Sequence, residues 1–291
     1  MSGRRVGVVP SYALVTPSHA YDAARMRFQR ESFAAVGVDA RHVVVVPPED
    51  LAAFRGLPGA EVVATADVLP PEVERARLRG RDRWRRALPW NRDPKKAMSG
   101  WWTQQWVKLA IGERLGLDAW VCVDSDVFAV RPWEPFAVLG PRCELHELVD
   151  FPVGESIHRY LRASSAFLGI GDVGTSRTYV GQATPLHGPT VARLRAHVED
   201  TTGRPWWSAM VDAFATEYTT YGLFARHVDG LRDVTPVDRR WCRLFFELDA
   251  SFENDLRRAV EEEGCVLGML HSRLGHEPAE YADAVARVRA S

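Results

Sequence analysis

Val43, Val44, Val45 and Val46 follow one another without interruption and stop at Pro47-Pro48. Successive side chains on a strand point to opposite faces, so four valines in a row present apolar groups on both. A continuous β-branched run of this kind fits a strand of a parallel sheet buried on both sides. Residues 12–16 form another short apolar piece, ending at Thr16-Pro17-Ser18, and residues 60–64 a third. The clearest strand is 119–123, Ala119-Trp120-Val121-Cys122-Val123, which runs into Asp124-Ser125-Asp126. Between these pieces the period changes. Met26, Phe33 and neighbouring alanines recur at helical spacing over 21–36. Trp102, Trp106 and Leu109 stand at i, i+4 and i+7 of a second helix over 100–115, which Gly116 stops. Strands alternating with helices predict an open, mostly parallel α/β sheet.

Residues 72–96 break the pattern: they carry seven arginines between Arg75 and Arg86, with Trp84, Trp90, Pro89 and Pro94. Such a charge run is read as a solvated helix and loop, with a lid or a docking surface for an anionic group as the sharper alternative. Later strands are expected at 178–183 and 265–270, and helices around 190–198 and 206–214. A chain of 291 residues can bury the core of one large α/β domain or of two tightly fused lobes. The formal net charge of −1 argues against a nucleic-acid partner, which selects for basic excess. No apolar stretch approaches the roughly 20 residues of a membrane span. Arg4 and Arg5 precede apolar residues, but Pro10 interrupts the run, so a first strand is expected there and not a signal peptide. Cys122, Cys143, Cys242 and Cys265 show no CxxC spacing; they read as reduced, mostly buried thiols of a cytoplasmic protein.

Asp124 and Asp126 lie at i and i+2, so on extended backbone both carboxylates point to the same side. A buried strand leaves the sheet at its carboxyl edge, where open α/β folds bind ligands. Hard carboxylate oxygens at that edge suit Mg²⁺ or Mn²⁺ held together with substrate phosphates. Such an ion would neutralise charge developing on a departing nucleotide diphosphate.

Leu14-Val15-Thr16-Pro17-Ser18, the block from Gly100 through Trp101-Trp102-Thr103-Gln104-Gln105 to Leu109, and Val123-Asp124-Ser125-Asp126-Val127-Phe128 together resemble a bacterial family of GT-A-type glycosyltransferases, largely of unknown function. Tyr179-Val180-Gly181-Gln182, Gly203-Arg204-Pro205-Trp206-Trp207 and Glu217-Tyr218 with Tyr221-Gly222 match its recurring blocks in the same order, so the resemblance covers residues 12–271. One departure is local: the family usually has an aromatic residue after Thr-Pro-Ser, where this chain has His19. The resemblance implies a GT-A-like fold with a Rossmann-type, mostly parallel central sheet flanked by helices and a smaller acceptor-side region. It implies one domain over 1–291, with residues 1–130 binding the nucleotide sugar and 131–291 the acceptor. The expected reaction is metal-dependent transfer of a sugar from a nucleotide diphosphate, UDP by analogy with the fold, to an acceptor hydroxyl.

Roles follow from the same resemblance. Thr16, Pro17 and Ser18 would contact the base or ribose, although taken alone they read as a turn. Gln104 or Gln105 and Lys108 would face the ribose or diphosphate; alternatively Lys108 only snorkels from a packed helix. Asp124 and Asp126 would hold the metal, Asp126 more directly, with His271 at the end of a late strand as a third ligand better suited to Mn²⁺ than Mg²⁺. Glu217 is the candidate general base or acceptor-orienting group, with Asp212 as its alternate. Gln182 would hydrogen-bond donor-sugar hydroxyls. Trp206, Trp207, Tyr218 and Tyr221 are acceptor-side candidates, the two tryptophans being equally compatible with a core. Two other classes compete. A haloacid-dehalogenase-type phosphohydrolase uses a similar Asp-x-Asp, but after its first strand. A non-catalytic sugar-nucleotide-binding protein would keep the fold without turnover. A sugar-nucleotide pyrophosphorylase would need a glycine-rich phosphate loop that Thr16-Pro17-Ser18-His19 does not provide.

Overall fold

A computed structural model describes residues 11–81, 99–139, 142–151 and 154–291. In chain order the elements are β1 (Tyr12–Pro17), α1 (Ala23–Ala35), β2 (His42–Val46), β3 (Glu61–Ala64), α2 (Thr65–Val68), α3 (Pro71–Arg81), α4 (Ser99–Leu115), β4 (Ala119–Cys122), β5 (Val127–Ala129), β6 (Cys143–His146) and β7 (Leu148–Val149). They continue with α5 (Glu155–Leu168), β8 (Arg177–Thr178), β9 (Thr184–His187), α6 (Gly188–Thr202), α7 (Trp206–Ala213), α8 (Glu217–Leu223), β10 (Val234–Val237), β11 (Cys242–Phe245), α9 (Phe252–Glu261), β12 (Leu267–Leu270) and α10 (Ala282–Ala290).

The central sheet has the order β3-β2-β1-β4-β9. Its first four strands are parallel, with Val15 opposite both Val43 and Cys122, and β9 closes it antiparallel to β4. All five residues of β2 are buried, as the valine run requires. The sheet is α/β, mostly parallel and flanked by helices, as expected. Trp102, Trp106 and Leu109 of α4 face the core as their spacing predicts. A second sheet, β11-β12-β5, lies beyond β4: β11 and β12 are parallel, and β12 runs antiparallel to β5. Phe128, Phe252, Leu256, Tyr281 and Val285 form a separate apolar cluster where α9 and α10 cover this sheet.

Two expectations need correction. Residues 178–183 are not one strand. Thr178 ends β8, Ala183 takes a left-handed conformation (φ 59°), and the strand against β4 is 184–187. The loop between them packs tightly, since Gly181 lies against the His146 ring and Gly222 against the Tyr179 ring, each leaving no room for a Cβ. The arginine-rich segment is also not uniformly solvated. Arg77 on α3 is buried and paired with Glu49 at 2.8 Å and with Glu74 at 2.5 Å. Its continuation, with Arg83, Trp84, Arg85, Arg86 and Trp90, lies outside the described residues. The four cysteines are unbonded, three of them buried. Among the described residues no helix is long and apolar enough to cross a membrane.

Candidate active site

Asp124-Ser125-Asp126 is the turn that carries the chain from β4 to β5, and so from the first sheet to the second. Helix α1 clamps it with polar groups. Gln29 is fully buried, and its Nε2 donates to the carbonyls of Asp124 (2.7 Å) and Val127 (3.2 Å). Ser32 Oγ accepts the Ala129 amide at 2.9 Å. At the start of α1, Asp22 accepts from Ser125 Oγ at 3.0 Å and from Arg25 at 3.0 Å. The turn is therefore held by a helix whose buried side is partly polar.

In front of it opens a cavity of about 610 Å³. Lys108 of α4 is buried on its wall, with Nζ 3.0 Å from Asp124 Oδ1 and 3.1 Å from Glu217 Oε1, and 4.5 Å from the Tyr218 ring centre. Burial alone would lower the ammonium, but Asp124, Tyr218 and Glu217 hold it well above its usual range. Lys108 thus does not snorkel; it ties two carboxylates together across the cavity. Gln182 grips Asp124 from the loop before β9, accepting the Asp124 amide (3.0 Å) and donating to Oδ2 (2.6 Å). Burial would raise the Asp124 carboxyl, yet Lys108 and the Gln182 hydrogen bond bring it below its usual range. Both of its oxygens are engaged.

Asp126 differs. Its Oδ2 accepts the Ser272 amide at 2.8 Å, whereas Oδ1 is buried without a partner. Burial and the neighbouring Asp124 charge push its carboxyl up to about 6. An unpartnered buried carboxylate oxygen is costly, and a divalent cation is what such an oxygen fits. His271, at the end of β12, is on the same wall; its Nδ1 accepts the Arg273 amide at 3.2 Å, and burial and Arg273 keep it below the usual imidazole value. A neutral ring is the form that binds metal. Among the described residues no three His, Cys, Asp or Glu side chains converge into a closed cage. The protein groups here therefore suit a cation that also takes oxygens from a bound ligand.

Pro17, Gln104, Gln105, Glu217 and Tyr218 also line the cavity. Gln105 Oε1 accepts the Glu217 amide at 3.1 Å, fixing the first turn of α8. Several other sequence candidates are placed elsewhere. Thr16 is fully buried with its hydroxyl 2.9 Å from His42 Nε2, and Ser18 is buried beside it. Tyr221 accepts the His187 amide through its hydroxyl, inside the core. Trp206 is buried under Arg195, and Trp207 packs edge-on against Trp106. Asp212 pairs with Arg204 on the surface. The cavity also recruits residues that the sequence did not single out, among them Asp22, Tyr160, Phe246 and Arg273. Of these only Asp22 left a signal, a carboxylate three residues before Arg25 at a helix start.

The family of unknown function DUF6492 matches residues 4–241. No curated protein matches the chain in sequence. Among solved structures, mouse xyloside xylosyltransferase 1 in its apo form is 10% identical, with a TM-score of 0.50 over 91% of this chain and 99% of that one. The galactosyltransferase LgtC with donor and acceptor sugar analogues is 11% identical, with a TM-score of 0.47 over 96% and 95%. At 10% identity the likeness to the xylosyltransferase is one of fold alone, an α/β fold of the GT-A type.

Proposed function

This chain belongs to the family of unknown function DUF6492, and from its own site we propose that it is a divalent-metal-dependent glycosyltransferase that moves a sugar from a nucleoside diphosphate, UDP first among the candidates, to an acceptor hydroxyl. One observation carries the reading: Asp126, at a sheet's carboxyl edge, lines a cavity the size of a nucleotide sugar and keeps its buried Oδ1 without a partner. Asp126 and His271 would hold the cation, Mn²⁺ or Mg²⁺, which would supply positive charge beside the diphosphate. Asp124 works differently. With its oxygens on Lys108 and Gln182, it positions the ammonium and the amide along the wall where donor hydroxyls and phosphate lie. Pro17, Gln104 and Gln105 line the nucleotide side.

Glu217 takes the acceptor proton. Its Oε1 is held by Lys108, while among the described residues Oε2 has no partner. Glu217→Gln keeps the shape and the contact to Gln105, so it leaves donor binding intact and lowers kcat by about 10²-fold or more. An unchanged kcat would move the proton transfer to another group. The phosphohydrolase alternative places its Asp-x-Asp after the first strand, whereas here the pair follows β4.

The experiment that tests the function needs no acceptor. Ligands that bind only the folded state raise its melting temperature by mass action. UDP, GDP, CDP and dTDP are titrated with and without Mn²⁺. A shift with one nucleotide that appears only with metal is expected; no shift with any of them would remove the transferase reading.

A further inference from the structure

A second chamber of about 520 Å³ opens beside the donor cavity. The two share walls at Ile157, Val180, Gly181, Gln182, Leu244 and Phe246, so a molecule in the second reaches the site through the first. The chamber lies between the outer edge of β11 and the β7–β8 pair, with the start of α5 as its end. Its distinctive surfaces are aromatic: Phe151 and Trp241 face it in addition to the shared Phe246, which is 61% exposed.

Several of the polar side chains around it are already engaged, and among the described residues the one buried polar atom on its wall without a partner is His146 Nε2. Thr178 Oγ1 accepts the Val180 amide at 3.2 Å. Arg243 pairs with Glu263 at 3.2 Å, Arg240 stacks over the Phe151 ring at 4.3 Å, and Gln182 is held on Asp124. A saccharide carries a hydroxyl on nearly every carbon, and each needs a donor or acceptor when it leaves water. Flat apolar rings instead gain from burial against aromatic faces and need a polar partner only at the hydroxyl that reacts.

We propose that this chamber is the acceptor subsite and that it takes a planar, largely apolar hydroxyl compound, an aromatic or polycyclic aglycone, with its hydroxyl delivered past Gln182 toward Glu217. The assignment rests on the transferase reading and adds the acceptor class to it. In the transfer, the acceptor oxygen bonds to the anomeric carbon, the bond from that carbon to the diphosphate oxygen breaks, and the hydroxyl proton passes to Glu217.

The test uses the whole chain, with 2-naphthol and 4-methylumbelliferone as planar probes and lactose and maltotriose as carbohydrate controls. Binding is read by thermal shift and by titration calorimetry. The planar probes are expected to bind and the saccharides not. Phe151→Asp places a carboxylate in the chamber without touching the donor cavity, so it weakens 2-naphthol about tenfold or more and leaves the nucleotide–Mn²⁺ shift unchanged. Trp241→Gln serves as the second variant, with the same expectation. Saccharide binding in place of the planar probes, or 2-naphthol binding untouched by both substitutions, overturns the assignment. A nucleotide shift without 2-naphthol binding overturns the acceptor class alone; 2-naphthol binding without any nucleotide shift overturns the transferase reading.

Discussion

Lys108→Met lowers the melting temperature by on the order of 10 °C and removes nucleotide binding. The Lys108 side chain is 5% exposed, and its ammonium is the shared partner of Asp124 and Glu217. Methionine fills the same volume but leaves the buried Glu217 and the half-buried Asp124 carboxylates facing each other without a cation. Removing one partner of a buried pair costs roughly 3–5 kcal/mol, mostly the penalty of the charges left behind. In a domain of this size each kcal/mol moves the midpoint by about 2–4 °C. Calorimetry on the variant and on Lys108→Met combined with Asp124→Asn separates the charge penalty from lost packing. The second neutralisation restores a substantial part of the stability, because it removes one of the stranded charges. A loss below about 1 kcal/mol in the single variant would mean that the carboxylates find water, and that Lys108 is not the organising cation.

Asp126→Asn has two opposite effects. It removes metal-dependent nucleotide binding and transfer, because the unpartnered oxygen no longer carries charge. Without metal at pH 8 it makes the protein more stable. The sign follows from the Asp126 carboxyl, pushed up to about 6 from 3.8 by burial and by Asp124. The folded state binds this proton more tightly than the unfolded chain. The stability so gained is complete below the unfolded value and is lost as pH rises through about 6. Above that pH the ionised group costs up to about 3 kcal/mol, which a neutral isostere avoids. Melting curves without metal should therefore show Asp126→Asn above the parent by several degrees at pH 8 and level with it near pH 4. Adding Mn²⁺ and nucleotide raises only the parent. A variant less stable than the parent at both pH values would contradict the strained carboxylate.

The central sheet was legible because its inner strands β2 and β4 are buried on both sides. Val43 to Val46 and Ala119 to Val123 have no polar face to blur the signal. The second sheet was not, apart from β12. β5 and β11 are three and four residues long, and Leu244 and Phe246 stand exposed where a core residue would be expected. The break at Ala183 is equally silent, since nothing in Gly181-Gln182-Ala183-Thr184 announces a left-handed alanine. In the site, residues whose chemistry is charge were easier to find than residues whose chemistry is shape. Asp124, Asp126, Lys108 and Glu217 meet in one cavity, whereas Trp206, Trp207 and Tyr221 proved to be packing groups whose spacing cannot tell a wall from a core. Gln29 and Ser32 were invisible because a polar side chain on a helix ordinarily faces water.

The pairing order β11-β12-β5 carries a consequence for how the chain matures on the ribosome. β12 inserts between a strand made just before it and one made about 140 residues earlier, by the order of the sheet. Until it docks, the Ser272 amide that follows it is not in place to donate to Asp126. Pairings this distant in sequence close late, because the loop entropy is spent before the contacts form. A chain released short of Leu267 would carry every residue of the first sheet and still lack β12 and the Ser272 amide that Asp126 accepts.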